Sequence, residues 1–181
     1  MRKLANAELG RKSVEEYKCT PKIPVVVVLD NVRSLNNIGS VFRTCDAFMI
    51  ESLVLCGITA APPHREIQKT ALGATESVHW TYVADTRDAL ARLRSEGYTL
   101  CAVEQTENSV MLHDFKPVHE KKYALVFGHE IRGVDQEVVN TCDLSLEIPQ
   151  MGTKHSINVA VSAGIVLWEI FRNYASAYAK V

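Results

Sequence analysis

The stretch Pro24-Val-Val-Val-Val-Leu-Asp30 constrains the fold more than any other in the chain. Four consecutive valines and a leucine are apolar on both faces of an extended backbone. A strand of that kind needs cover on both sides of its sheet, the setting of a central strand in a parallel sheet. Other buried strands are predicted at Ser52 to Cys56, Thr99 to Val103, Tyr123 to Phe127 and Leu144 to Ile148, with a further one at His79 to Val83. Between them helices are predicted at Ile38 to Phe48, Glu66 to Leu72, Asp85 to Glu96, Val134 to Thr141 and Ser156 to Tyr174, with Gly73 and Gly97 placed as stops. Strands alternating with helices give an α/β fold, with a mainly parallel sheet flanked by helices. No repeat or linker divides the 181 residues, so a domain over 23–181 is expected behind an N-terminal arm, 1–22. The arm carries a short helix from Ser13 to Lys18, begun by a capping box with Glu16.

Charge and cysteine usage narrow the function classes. The net charge of −1 argues against a general polyanion binder, but it is unevenly spread. Residues 1–22 hold six basic and three acidic residues, leaving fourteen basic and eighteen acidic in the body. Such an arm is either a local nucleic-acid contact or a solvated tail. The longest apolar run, Ile157 to Ile170, is interrupted by Asn158, Ser162 and Glu169, so no membrane span is expected. The N-terminus lacks the hydrophobic core of a signal peptide. The five cysteines include no CxxC pair, so neither a zinc site nor a disulfide framework is indicated. Reduced thiols and a cytoplasmic location are the expectation.

In open parallel sheets ligands collect beyond the carboxyl ends of the strands, which directs attention to three polar loops. The first, Asn31 to Arg43, places Asn37 as a helix N-cap and Arg43 well inside that helix. A guanidinium fork suits phosphate, and a surface arginine on a capped helix is the plain alternative. The second, Val126-Phe-Gly-His-Glu-Ile-Arg-Gly133, puts Gly128 directly after a buried strand, where the backbone turns sharply or a ligand approaches closely. Glu130 follows at the sheet edge. The third, Leu146 to Asn158, is a glycine-containing loop leading to Ser156 and Asn158 at a helix start. That start either caps a core helix or offers amides to a carboxylate, phosphate or ribose. Several chemistries are excluded. No GxGxxG follows the first strand, Gly128 to Gly133 is followed by no GK[ST], no GxSxG is present, and His129-Glu130 lacks the second histidine of HExxH. His155 and Ser156 are adjacent, a poor geometry for a base and its nucleophile.

Together, Asn37-Ile-Gly-Ser-Val-Phe-Arg43, Leu125-Val-Phe-Gly-His-Glu-Ile-Arg-Gly133 and Ile148-Pro-Gln-Met-Gly-Thr-Lys-His-Ser-Ile-Asn-Val-Ala-Val161 resemble the three motifs of the SpoU-type (TrmH-family) RNA ribose 2′-O-methyltransferases of the SPOUT superfamily. The resemblance covers about residues 24–175. It implies a C-terminal deep trefoil knot, which pattern reasoning alone does not propose. It also implies S-adenosylmethionine as cofactor, a homodimer with the site near the subunit interface, an RNA substrate and no metal. By position it assigns Gly128, Ile148 and Ile157 to the cofactor, with Met151 and Gly152 in the adjoining loop. Asn37, Arg43, Glu130, Ser156 and Asn158 match the catalytic and substrate-facing residues. Arg43 is then either the general base that the family pattern suggests or a phosphate clamp that stabilises the developing alkoxide. Glu130 orients Arg43 or a loop amide. Gln150 and Ala160 depart from the usual Met and Ser.

The activity expected is methyl transfer to a ribose 2′-OH of tRNA or rRNA. The near-neutral charge keeps a second reading open, a non-catalytic knotted domain that holds RNA or a ribosomal partner. Methylation of a base is a third.

Overall fold

The computed structural model describes residues 1–178. After a single 3-10 turn at Asn6–Leu9, the elements run α1 (Val14–Cys19), β1 (Ile23–Asp30), α2 (Leu35–Ala47), β2 (Ile50–Cys56), α3 (Arg65–Ala71), α4 (Ala74–Ser77) and β3 (His79–Val83). They continue α5 (Thr86–Ser95), β4 (Tyr98–Val103), β5 (Val110–Met111), β6 (Lys122–Phe127), α6 (Gln136–Thr141), β7 (Leu144–Glu147) and α7 (Val159–Tyr178).

The seven strands form one sheet in the order β3-β2-β1-β6-β4-β7-β5, and every pairing is parallel. The valine run is its spine, as predicted. Val25, Val27 and Leu29 point into a core shared with α2, α3 and α7, while Val26 and Val28 point into a second core shared with α5 and α6. Alternate residues of one strand thus enter opposite cores, which is the period-2 consequence of a sheet covered on both faces.

The strand order reverses between β1 and β6, since the chain first builds outward from β1 to β3 and only later adds β6 on the other side. The loops after these two strands meet beyond their carboxyl ends, where Glu130 accepts from the amides of Arg33 and Ser34. Asp30 ties this end of the sheet together. Its buried carboxylate accepts from the Thr86 hydroxyl at 2.6 Å, Asn31 Nδ2 at 2.9 Å and the Asp135 amide at 3.2 Å.

Several elements differ from the sequence expectation, most by one or two residues at an end. Helix α2 begins at Leu35, because the Ser34 hydroxyl accepts from the Asn37 amide; Asn37 lies in the first turn and is not the cap. Helix α7 begins at Val159 rather than Ser156. Its cap is Asn158, whose Oδ1 accepts from the amides of Ala160 at 2.9 Å and Val161 at 3.3 Å. The helix expected from Val134 begins at Gln136, behind the cap Asp135. The two-residue strand β5 was not anticipated.

Helix α1 forms with the predicted capping box between Ser13 and Glu16. It is tied to the body: Tyr17 is only 5% exposed and its hydroxyl donates to the Cys45 carbonyl at 3.4 Å. Burial pushes the Tyr17 phenol well above its ordinary range, with the charges of Asp46 and Cys45 adding to the effect. Among the described residues, no helix is long and apolar enough to cross a membrane and no cluster of ligating side chains could hold a metal.

Candidate active site

The segment after β6 closes on itself. His129 and Gly133 exchange both backbone hydrogen bonds, at 2.9 and 2.8 Å, so residues 129–133 form a tight turn. Gly128 is obligatory beside it. A Cβ there would sit 2.1 Å from both the Gly133 carbonyl carbon and the Val134 nitrogen. The turn's own backbone supplies the close approach that the sequence left open between a sharp turn and a ligand. Within the turn, the Ile131 amide donates to His129 Nδ1 at 3.0 Å, which keeps the His129 ring turned inward and buried. The Ile131 side chain is left 81% exposed.

This turn forms one wall of a cavity of about 420 Å³ beyond the carboxyl ends of β6, β4 and β7. That volume is in the range of about 300–1,000 Å³ typical of small-molecule sites. Gly128, Glu130, Ile148, Ser156 and Ile157, all expected at a site, line it together with Phe127, Leu146 and Val103. Apolar side chains and turn backbone are thus both available to a ligand. Met151 and Gly152 do not line the cavity. They lie in the adjoining loop, and the Met151 side chain is fully exposed.

Beside the cavity, residues far apart in sequence join in one hydrogen-bonded chain. Glu130 Oε1 accepts from the Ser34 amide at 2.8 Å and from Asn37 Nδ2 at 3.0 Å; its Oε2 accepts from the Arg33 amide at 3.0 Å. Asn37 Oδ1 accepts in turn from Asn158 Nδ2 at 3.2 Å, and Asn158 caps α7. Three loops and two helix starts are therefore locked together, and both asparagine amides have fixed orientations. Partial burial alone would raise the Glu130 pKa. The hydrogen bonds from the amides of Arg33 and Ser34, from its own amide and from Asn37 outweigh burial, and the net shift is downward. A carboxylate held in this way is a poor proton acceptor and a firm anchor.

Of the two partners expected for Glu130, the structure selects the loop amides. Arg43 stands apart. It lies six residues beyond Asn37, about 9 Å along the helix axis at 1.5 Å per residue. It is exposed and lines a second recess with Ser40, Thr44, Phe48, Lys69 and Gly164. Gly39, in the second turn of α2, is small for a packing reason. A Cβ on it would sit 2.1 Å from the Thr70 hydroxyl and 2.3 Å from the Ile67 carbonyl, so α3 packs directly on it.

Among the cavity residues that sequence reasoning missed are Glu104 and Gln105, which follow β4. Glu104 Oε2 accepts from the Val134 amide at 3.0 Å, and Gln105 Nε2 donates to the His155 carbonyl at 2.9 Å. The same carboxyl-edge rule that directed attention to the loops after β1, β6 and β7 applies to β4 as well.

The comparisons with known proteins agree with this geometry. The chain is 29% identical over 171 residues to a tRNA (guanosine(18)-2′-O)-methyltransferase of Thermus thermophilus, covering 94% of this chain and 86% of that one. It is 30% identical over 158 residues to the 23S rRNA (guanosine-2′-O-)-methyltransferase RlmB of Neisseria meningitidis, covering 87% of this chain and 62% of that one. Among solved structures, an AdoMet-bound rRNA methyltransferase from Sinorhizobium meliloti superposes with a TM-score of 0.76 at 29% identity, over 82% of this chain and 56% of that one. The chain thus spans less than two thirds of the latter two. The sequence model of the SpoU rRNA Methylase family matches residues 24–168, and the chain belongs to that family.

Proposed function

We propose that this protein transfers a methyl group from S-adenosylmethionine to a ribose 2′-hydroxyl of tRNA or rRNA. The observation that carries this reading is the placement of the 420 Å³ cavity directly beside the Glu130–Asn37–Asn158 chain. The names of the relatives and the bound cofactor of the Sinorhizobium protein support it. The cavity's chemistry suits the cofactor: the part-exposed Val103, Ile148 and Ile157 offer apolar contact to a purine, over a floor that Phe127 and Leu146 back from the core. When bound, S-adenosylmethionine supplies an activated methyl group, which leaves the protein to place the hydroxyl and manage its proton.

The side chains divide that work. Asn37 and Asn158, with amides fixed by Glu130 and the α7 cap, position the incoming ribose. Ser156, exposed at the cavity edge three residues before α7, contacts substrate. Arg43, from its own recess further along α2, holds an RNA phosphate near the target ribose, the clamp role expected of it. An arginine stays protonated throughout the usual pH range, so the clamp is preferred to the base. Met151 and Gly152 form the outer edge of the cofactor loop. Arg43→Ala is expected to lower the rate of methyl transfer by roughly 10²–10³ while leaving stability within about 0.5 kcal/mol, as for an exposed residue. Single-turnover assays with RNA from a strain lacking the protein check this, and an unchanged rate rejects the role.

The active form proposed is a homodimer. Val161, Ile165 and Trp168 expose one apolar stripe on α7, and Trp168 packs beside Phe48 and Phe171 at 5.9 Å from each. Sedimentation of Trp168→Arg is expected to show a monomer. The knotted C-terminal path belongs to this reading through the family to which the chain belongs. The basic segment 1–22, ahead of a catalytic domain over 23–181, is assigned to RNA contact. Free thiols at all five cysteines fit a cytoplasmic location.

A further inference from the structure

Four chain segments surround the cavity, and they are not held alike. The turn at 129–133 has its own paired backbone bonds, and β4 and β7 are paired in the sheet. The segment 149–157 has no regular structure. Among the described residues, the one hydrogen bond tying it to another part of the chain runs from Gln105 Nε2 to the His155 carbonyl.

The preceding residue holds the opposite wall. The Glu104 amide donates to the Leu146 carbonyl at 3.1 Å, which fixes its backbone against β7. Its side chain then spans the end of the sheet. Oε2 accepts from the Val134 amide at 3.0 Å and Oε1 from the Gln105 amide at 2.9 Å. The carboxylate lies flat against Gly133, where a Cβ would come within 2.1 Å of Oε2. Gly133 has a φ of +68°, a conformation that also disfavours any side chain there. Both features keep room for a carboxylate in this place. Two consecutive residues thus bind two separate walls, and Glu104 fixes the backbone from which Gln105 reaches out.

We propose that Glu104 and Gln105 are a positioning pair for the cofactor cavity, setting the distance between the turn at 129–133 and the loop that carries Ser156 and Ile157. The inference rests on the methyl-transfer reading above. Glutamine at 104 keeps the shape but turns an NH2 group towards one of two donating amides. Leucine at 105 keeps the bulk and removes the donor. The first change loosens the link between β4 and the end of the turn, the second frees the loop, and neither alters a group assigned to substrate.

The test is calorimetry with S-adenosylmethionine on wild type, Glu104→Gln and Gln105→Leu, together with thermal melting of the cofactor-free proteins. Initial rates against cofactor, with RNA from a strain lacking the protein, complete it. The Kd and KM for cofactor are expected to rise roughly tenfold in each variant, the loss of about one charge-assisted or wall-holding hydrogen bond. The rate at saturating cofactor is expected to fall by less, and the KM for RNA to stay within about twofold of wild type, since no RNA contact is removed. A merely structural role would lower the melting temperature and leave the cofactor Kd in place, and that result overturns the proposal. Wild-type binding with both variants within twofold of it overturns the proposal alone. No binding by wild type overturns both the proposal and the methyl-transfer reading.

Discussion

Two walls of the same cavity are built in opposite ways. The turn at 129–133 is closed by paired backbone bonds, backed by Gly128 and anchored to α2 through Glu130. The loop at 149–157 is largely exposed and tied by a single side chain. The first wall is preformed, so a ligand meets its backbone groups without first ordering them. The second has ordering left to gain, which a ligand supplies at some cost in affinity.

The largest effect that would break this contrast is at Gly128. Gly128→Ala drives a methyl into the backbone of Gly133 and Val134. Neither can yield without opening the turn. Destabilisation of about 3 kcal/mol is expected, as for a severe overpacking change. Urea denaturation measures it; a loss under 1 kcal/mol would show that the turn is pliable after all.

Proteolysis compares the two walls directly, because each carries an exposed basic residue, Arg132 in the turn and Lys154 in the loop. Trypsin is expected to cut after Lys154 at least about tenfold faster than after Arg132, since cleavage needs local opening. Saturating cofactor is expected to slow the Lys154 cut by mass action. Equal rates at the two sites would erase the distinction.

The smallest effect concerns the anchor. Hydrogen bonds lower the folded-state pKa of Glu130. Its carboxylate therefore adds stability that is fully present above the unfolded carboxylate pKa and is lost as pH falls through the folded value. Glu130→Gln is expected to cost about 1 kcal/mol at neutral pH, for a partly exposed carboxylate. It is also expected to flatten the acid limb of the stability profile, measured by denaturant melts across that range. An unchanged acid limb would assign the acid sensitivity to other carboxylates.

Much of the frame was legible because it is written in local pattern. The valine run announced a two-faced central strand, and Ser13 with Glu16 announced α1. What escaped depends on partners distant in sequence. Asn37 reads as a cap, yet its side chain is committed to Glu130, 93 residues away, and Ser34 caps in its place. Ser156 reads as a helix start, yet Asn158 takes the cap because its Nδ2 is held by Asn37 from across the site. Strand β5 has two residues, too few for any period. Glu104-Gln105 matches no motif, and its meaning comes from Val134 and His155. The arm was legible in charge but not in packing, since nothing local marks Tyr17 as a core residue.

The alternation along β1 has a consequence for how this molecule comes apart. Val25 and Val27 belong to one core and Val26 and Val28 to the other, so neither half of the protein owns the strand. Peeling the helices from one face leaves the same backbone supporting the other, and losing the strand dissolves both at once. The two layers are thereby bound into a single cooperative unit. The amides at the middle of that strand should be the last to exchange with solvent, and the cavity at its edge inherits that rigidity on the side it shares with the sheet.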